Sequence, residues 1–402
     1  MARLCLVKTK PVGDNPSMEF DVLIVGGGLA GLSLAVALRR AQLSVGVIEG
    51  REPSIVKAWD ARIYAVSPAN QRFLDEIGVW SHLDAARLSR VEAMEVHGDT
   101  SGRIDFSAYD AGADALAWIV ESGAMQAELW ESARRQANVT LLCPAQPGAL
   151  SFATEGARME LDDGRRLKAS LVVAADGADS WTRQAAGIQV RFKNYGQCGV
   201  VANFQTERLH RGTAFQWFRT DGVLAYLPLP GNMISVVWST SQAHAAELLA
   251  LPPDEFGLRV AEAGKQQLGG LSLVTPPAAY PLRLMRAPRS VAPRLALIGD
   301  AAHTIHPLSG HGINLGFRDA RTLAELLAAK PSYIDCGDFA LLRRYERARK
   351  EEVVALQLAT DGLQRLFAPD LRLLSAVRNF GLNLTNGMPV IKDLLVRYAL
   401  SA

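Results

Sequence analysis

The sequence carries no charge excess, few cysteines, and no long apolar run that glycine leaves uninterrupted. Lys and Arg total 43 against 41 Asp and Glu, a net charge of +2, so the basic field that draws a protein to nucleic acid is missing. The four cysteines, Cys5, Cys143, Cys198 and Cys336, stand far apart with no CxxC pair. That argues against a disulfide framework or a cysteine zinc site and fits a reducing compartment. The longest uncharged run, VLIVGGGLAGLSLAVAL (Val22–Leu38), approaches the roughly 17–25 residues of a membrane span. Three adjacent glycines interrupt it, its first half is β-branched and its second is rich in Ala and Leu, so it reads as strand, tight turn and helix. Residues 1–17 hold no apolar stretch long enough for a signal peptide and read as a flexible leader. Internal repeats and low-complexity tracts are also missing.

What is present is an ordinary globular composition over 402 residues, 49% hydrophobic and 21% charged, enough for a large core and more than one domain. Residues 20–50 read as a βαβ opening. From 186 to 285, alternating runs such as TAFQWF, VLAYLPLP and MISVVWS predict an antiparallel sheet with turns at TDG and PGN. After Ala287 a strand–turn–helix unit returns, and the chain ends in segments with apolar residues at helical spacing. The expected fold class is α/β: a Rossmann-like cofactor domain, an inserted antiparallel β-sheet substrate domain and a C-terminal helical region. The boundaries read as 18–185 for the first part of the cofactor domain, 186–288 for the β-rich insertion, 289–330 for the completion and 331–402 for the helical region.

The first chemical motif is Gly26-x-Gly28-x-x-Gly31. It follows the strand FDVLIV, opens a helix, and is followed by Glu49 at the end of the second strand. Gly26 permits the tight turn, Gly28 lets the backbone approach a pyrophosphate, and Gly31 lets the helix pack on its strand. The free amides at the helix start bind the anion. Glu49 lies close to the roughly 20-residue spacing expected of the acid that binds a ribose diol, and it disfavours NADP at this turn. NAD and FAD both satisfy this motif.

The second motif, GDAAHTIHPLSGHGINLGFRDA (Gly299–Ala320), favours FAD. A flavin's ribityl chain and ring extend beyond the first βαβ unit. Asp300 has the chemistry to accept from ribityl hydroxyls, and the backbone around Gly310–Asn314 can approach the ring, with the helix dipole favouring negative charge there. His303, His306 and His311 flank a glycine turn with no Cys or paired carboxylate beside them, so no metal is expected. A third stretch, LVVAADGADSWTR (171–183), holds Asp176-Gly177, which alone reads as a surface turn.

These three motifs, in this order, resemble the class A flavoprotein aromatic hydroxylases. DARIYAVSPANQRFLDEIGVW (60–80), WIVESGAMQAELW (118–130), TAFQWF (213–218), LPLPGNMISVVWS (227–239) and the tail LATDGLQRLFAPDLRLLSAVRNFGLNL are similar, more closely, to the ubiquinone-biosynthesis hydroxylases. The resemblance implies that Gly26, Gly28, Ala30, Gly31 and Glu49 hold the ADP part of FAD. It implies Arg62 on the flavin side, Asp300 at the ribityl chain, and Gly310, Gly312, Ile313 and Asn314 at the ring. Asp176 and Gly177 fall in the motif such enzymes use for FAD and transient NAD(P)H contact, and Pro307 falls beside the flavin where hydroxylation occurs. Two positions depart from the pattern: Ala174 replaces the usual Gly, and His311 replaces the usual Gln. His311 either adds a titrating group near the flavin or simply supplies a donor.

The implied reaction uses NAD(P)H and O2 to hydroxylate a polyprenylphenol ring through a C4a-hydroperoxyflavin. The implied setting is cytoplasmic, on its own or at the inner membrane surface, within a biosynthetic complex or as a homo-oligomer. Two alternatives stay open: a hydroxylase of small soluble phenols, and a weakly catalytic FAD-bearing scaffold. Phe215, Trp217, Tyr226 and Trp238 read either as the lining of a prenyl pocket or as sheet core, and core is the simpler assignment for any one of them. The segment from Leu341 onward carries ten Lys or Arg against six Asp or Glu. Its RRYERARK run reads as a solvated helix face, with contact to a membrane or partner as the sharper reading.

Overall fold

A computed structural model describes residues 17–54, 58–99, 102–304 and 312–366. The leader, His306, Pro307, Gly310, His311 and the tail from 367 lie outside the described residues, apart from Ser17 of the leader. β1 (Met18–Val25) leads into α1 (Leu29–Ala37), followed by β2 (Val45–Ile48), β3 (Ile63–Val66) and α2 (Pro68–Glu76). β4 (Ser89–Val91), β5 (Ala93–His97), β6 (Arg103–Ser107) and β7 (Ala117–Glu121) precede α3 (Ser122–Arg134). Next come β8 (Val139–Leu142), β9 (Pro147–Ala153), β10 (Gly156–Leu161), β11 (Arg166–Ala174) and α4 (Trp181–Ala185). β12 (Arg191–Thr206) is followed by a meander of β13 (Thr213–Arg219), β14 (Gly222–Leu229) and β15 (Met233–Ser241), and β15 pairs back onto β12. α5 (Gln242–Ala250), α6 (Pro253–Ala263), β16 (Leu271–Leu273) and β17 (Ala278–Arg286) complete the insertion. β18 (Val291–Ala292), β19 (Leu295–Leu297), β20 (His303–Thr304), α7 (Gly312–Ala329) and α8 (Phe339–Leu366) finish the described chain.

The uncharged run divides where glycine divides it, β1 ending at Val25 and α1 starting at Leu29. β1 pairs in parallel with β2 and β11, which pair in parallel with β8 and β19. Central parallel strands are covered on both faces, and Val22, Leu23, Ile24 and Val25 are all buried. On one side lie α1, α3 and α7. α1 is apolar almost all round because it is wedged between the sheet and neighbouring helices.

The second sheet runs β20-β17-β12-β15-β14-β13-β5-β6. It reaches beyond 186–288, recruiting β5 and β6 from earlier in the chain and β20 from later. It is antiparallel apart from β13 and β5, which pair in parallel from Thr213 opposite Ala93. Strand alternation gives the sheet two different faces. Phe215, Trp217, Tyr226 and Trp238 share one face and form a core with Phe256 and Val260 of α6. Their odd–even partners, Ala214, Gln216, Ala225 and Val237, turn the other way, into a cavity. The aromatics are therefore core, and the small residues between them make the room. A third sheet, β3-β7-β4, closes that cavity opposite.

Candidate active site

The first turn is built by steric necessity. Gly26 has φ +108°, a region that excludes most side chains, and a Cβ there or on Gly31 would collide with main-chain atoms of Ala175 or Gly26. Gly28 differs, because a Cβ on it would meet nothing within 4 Å; it borders the cavity. α1 begins with no side-chain cap and no acid in its first turn, so its leading amides are left for an anion. Glu49 braces the turn, accepting from the Gly27 amide at 2.7 Å and the Arg51 amide at 3.1 Å. A carboxylate has about four lone-pair sites, so acceptor capacity remains for a diol. Gln126 of α3, which sequence reasoning missed, donates to the Gly27 carbonyl at 2.9 Å.

The second turn lies against the first. Gly299 has φ +57°, and Ala30 of α1 sits where Gly299 and Gly316 leave room: a Cβ on either would come within 3.1 or 3.3 Å of the Ala30 methyl. Behind the turn, the buried Asp319 carboxylate accepts from the Gly299 amide at 2.9 Å, His303 Nε2 at 2.7 Å and Arg349 Nε at 2.7 Å. Burial opposes its charge, but His303 and Arg349 outweigh that and hold its pKa below the usual carboxylate range. His303 is thus engaged with Asp319, and among the described residues there is no cluster of three metal-ligating side chains. The network was not legible beforehand. Arg349 belongs to the basic run read as solvated, yet it is 6% exposed and Tyr345, one turn earlier, is 1% exposed.

A third motif reaches the same place. The Asp176 carboxylate points into its own turn, accepting from the Ser180 hydroxyl and, at 2.9 Å each, from the amide and hydroxyl of Thr182. Ala175, Gly177 and Ala178 line the cavity instead. Arg183, buried at the end of the motif, donates to the carbonyls of Ala301 and Ala178 at 2.9 Å each. Its burial pulls its pKa down.

All three motifs border one cavity of about 780 Å³. Asp300 is open to it but enclosed by protein on its other sides. That enclosure raises its carboxyl pKa against the pull of His303 and Arg62. The Arg62 guanidinium stands 5.7 Å from the Tyr64 ring centre and 5.8 Å from that of Tyr280. α7 starts at the cavity with Gly312, Ile313 and Asn314. The Asn314 side chain is turned to structural use: Oδ1 accepts from the Ser67 amide and from Asn70 Nδ2, both at 2.9 Å, and Nδ2 donates to Ala65 at 2.8 Å. An uncapped helix start and an enclosed carboxylate on one cavity, with an acid of spare acceptor capacity behind the first turn, fit an FAD molecule.

The model of the FAD binding domain family matches residues 19–359, and the chain belongs to that family. Within it, the chain is 38% identical over 395 residues to a ubiquinone hydroxylase, UbiL, of Rhodospirillum rubrum, covering 98% of this chain and 92% of the relative. It is 35% identical over 386 residues to the 3-demethoxyubiquinol 3-hydroxylase of Escherichia coli, covering 94% and 98%. The family and its relatives make this protein an FAD-dependent monooxygenase. Within that class it is a member of the ubiquinone-biosynthesis hydroxylases. The fold matches p-nitrophenol 4-monooxygenase PnpA of Pseudomonas putida at TM-score 0.78 and 19% identity, over 96% of this chain and 99% of that one.

Proposed function

We propose that this enzyme hydroxylates the aromatic ring of a polyprenylphenol intermediate of ubiquinone biosynthesis, consuming NAD(P)H and O2. The observation that carries this is continuity. One cavity runs from Gly28, Asp300 and Ile313 to an aliphatic wall that includes Val91, Leu116, Val223 and Leu227. A phenol ring alone needs little of that wall, whereas a prenyl tail needs most of it.

When bound, FAD supplies the chemistry, taking reducing equivalents from NAD(P)H and activating O2. The chain's own residues do the rest. Gly28 and the leading amides of α1 would hold the pyrophosphate, Glu49 the ribose and Asp300 the ribityl hydroxyls. The start of α7 at Gly312 and Ile313 would turn its positive end to the flavin ring, favouring negative charge there. Arg62 would add a cation on the same side, and the aliphatic wall would exclude water from the reacting groups. Among the described residues no helix is long and apolar enough to cross a membrane. We further propose that a lipid-borne substrate arrives from a carrier complex or through contact of the C-terminal helical region with the cytoplasmic membrane surface. Flotation with anionic liposomes tests this, with no binding counting against it.

The discriminating test is kcat/KM for a series of phenols with increasing prenyl length. A rise with length is expected. A flat or falling series would point to a hydroxylase of small phenols, and FAD-loaded protein that oxidises no NAD(P)H with any phenol would point to a scaffold.

A further inference from the structure

The cavity wall built from β12 to β15 is apolar except at two side chains, Gln216 on β13 and Ser239 on β15. Gln216 is 8% exposed and Ser239 4% exposed, and neither side chain has a hydrogen-bond partner among the described residues. Buried polar groups are nearly always paired, and a carboxamide offers two donors and an acceptor. The cross-strand neighbours of Gln216, Ala225 on one side and Val96 on the other, offer no side-chain partner. Its amide opens on the cavity, so its partner is water or the polar atom of a molecule that displaces that water.

The proposed substrate class narrows that partner. A prenyl tail has no hydrogen-bonding atom, so the ring oxygens are the only polar atoms such a molecule brings. Resting on the function proposed above, we infer that the Gln216 carboxamide hydrogen-bonds a ring oxygen of the polyprenylphenol and so fixes which ring carbon is presented for hydroxylation. Ser239 does not address the same oxygen. It lies two strands across, roughly 10 Å at the usual strand spacing, in a row that continues through Gly199 to Tyr280. Gln216 shares its row with Ala225, Val237 and Val201, so its amide is the only polar contact there. A neutral amide suits this task because it donates to a phenol or phenolate oxygen and accepts from a hydroxyl without adding a buried charge.

The test uses FAD-loaded wild type, Gln216→Met, Gln216→Leu and Ser239→Ala. Dissociation constants are read from the flavin absorbance change for a short-chain polyprenylphenol and for its analogue lacking the ring hydroxyl. Wild type should prefer the phenol by roughly 10- to 100-fold, the range for a buried polar group left unpaired. Both Gln216 variants should lose nearly all of that preference while keeping FAD. They should also form less product per NAD(P)H and spread hydroxylation over more than one ring position. Wild-type discrimination in either well-folded Gln216 variant overturns the inference, as does its loss in Ser239→Ala alone. Those results leave the proposed function standing. A wild-type enzyme that neither binds nor hydroxylates any polyprenylphenol removes that function, and this inference with it.

Discussion

Arg183 Nη1 donates to the main-chain carbonyl of Ala301 at 2.9 Å, joining residues 118 apart in the chain. The contact fastens the turn after β11 to the turn that carries Asp300, so two motifs that look separate in sequence form one support. The same guanidinium holds Ala178. Lysine has no rigid fork and cannot span two carbonyls as arginine does.

Arg183→Lys should therefore retain FAD about tenfold less well, with a global stability loss of about 1–3 kcal/mol from the unmet carbonyl. Cofactor content after gel filtration and urea unfolding of the apoprotein check the two parts. Unchanged FAD retention would mean that the Ala301 turn holds its shape without this bond.

Two glycines of one motif should fail in opposite ways. Gly31→Ala forces a methyl onto the Gly26 carbonyl and should destabilise the fold by roughly 2 kcal/mol or more. Gly28 has φ −79° and open space where a methyl would go, so Gly28→Ala should fold as stably as wild type. Its methyl would instead stand where the pyrophosphate approaches, so FAD affinity should fall at least tenfold. Thermal melts of the apoproteins and FAD titration separate the cases.

The buried carboxylate of Asp319 sets an acid limit. Its pKa in the folded protein lies below the value of about 3.9 expected in the unfolded chain. The stability it contributes is present above that unfolded value and is lost as pH falls through the folded one. Asp319→Asn leaves the buried Arg349 with Glu352 as its remaining carboxylate partner and should cost roughly 1–3 kcal/mol near neutral pH. Its stability should fall less steeply than that of wild type below about pH 4. Urea midpoints from pH 3 to 7 measure both.

The alternation of the second sheet gives a paired test at adjacent positions. Val237→Phe fills the cavity and should lower kcat/KM most for long-chain phenols while sparing stability. Trp238→Ala empties the opposite face, where Trp238 is 1% exposed, and should destabilise by about 3–5 kcal/mol. Activity across prenyl lengths and denaturant unfolding distinguish the faces.

The strand–turn–helix geometry at the first glycine motif was legible in the sequence because its constraints are local. Gly26, Gly28 and Gly31 act within six residues of one another, and the strand–turn–helix pattern around them is continuous. The division of the second sheet into a core face and a cavity face was only half legible. Alternation in TAFQWF showed that two faces exist, but which face meets α6 is settled by a helix that lies later in the chain. The Asp319–Arg349 pair and the role of Arg183 were not legible at all. Each joins a charge to a group far off in sequence, and nothing local separates Arg349 from the solvated arginines beside it. The parallel pairing of β13 with β5 was hidden for the same reason.

Product analysis under ¹⁸O₂ tests the central claim most directly. FAD-loaded protein, NAD(P)H and a short-chain polyprenylphenol would be incubated and the products read by mass spectrometry. One labelled oxygen on the ring is the expected result, and fragmentation would give its position. NAD(P)H oxidation that yields hydrogen peroxide and no labelled ring, across polyprenylphenols of several lengths, would contradict it.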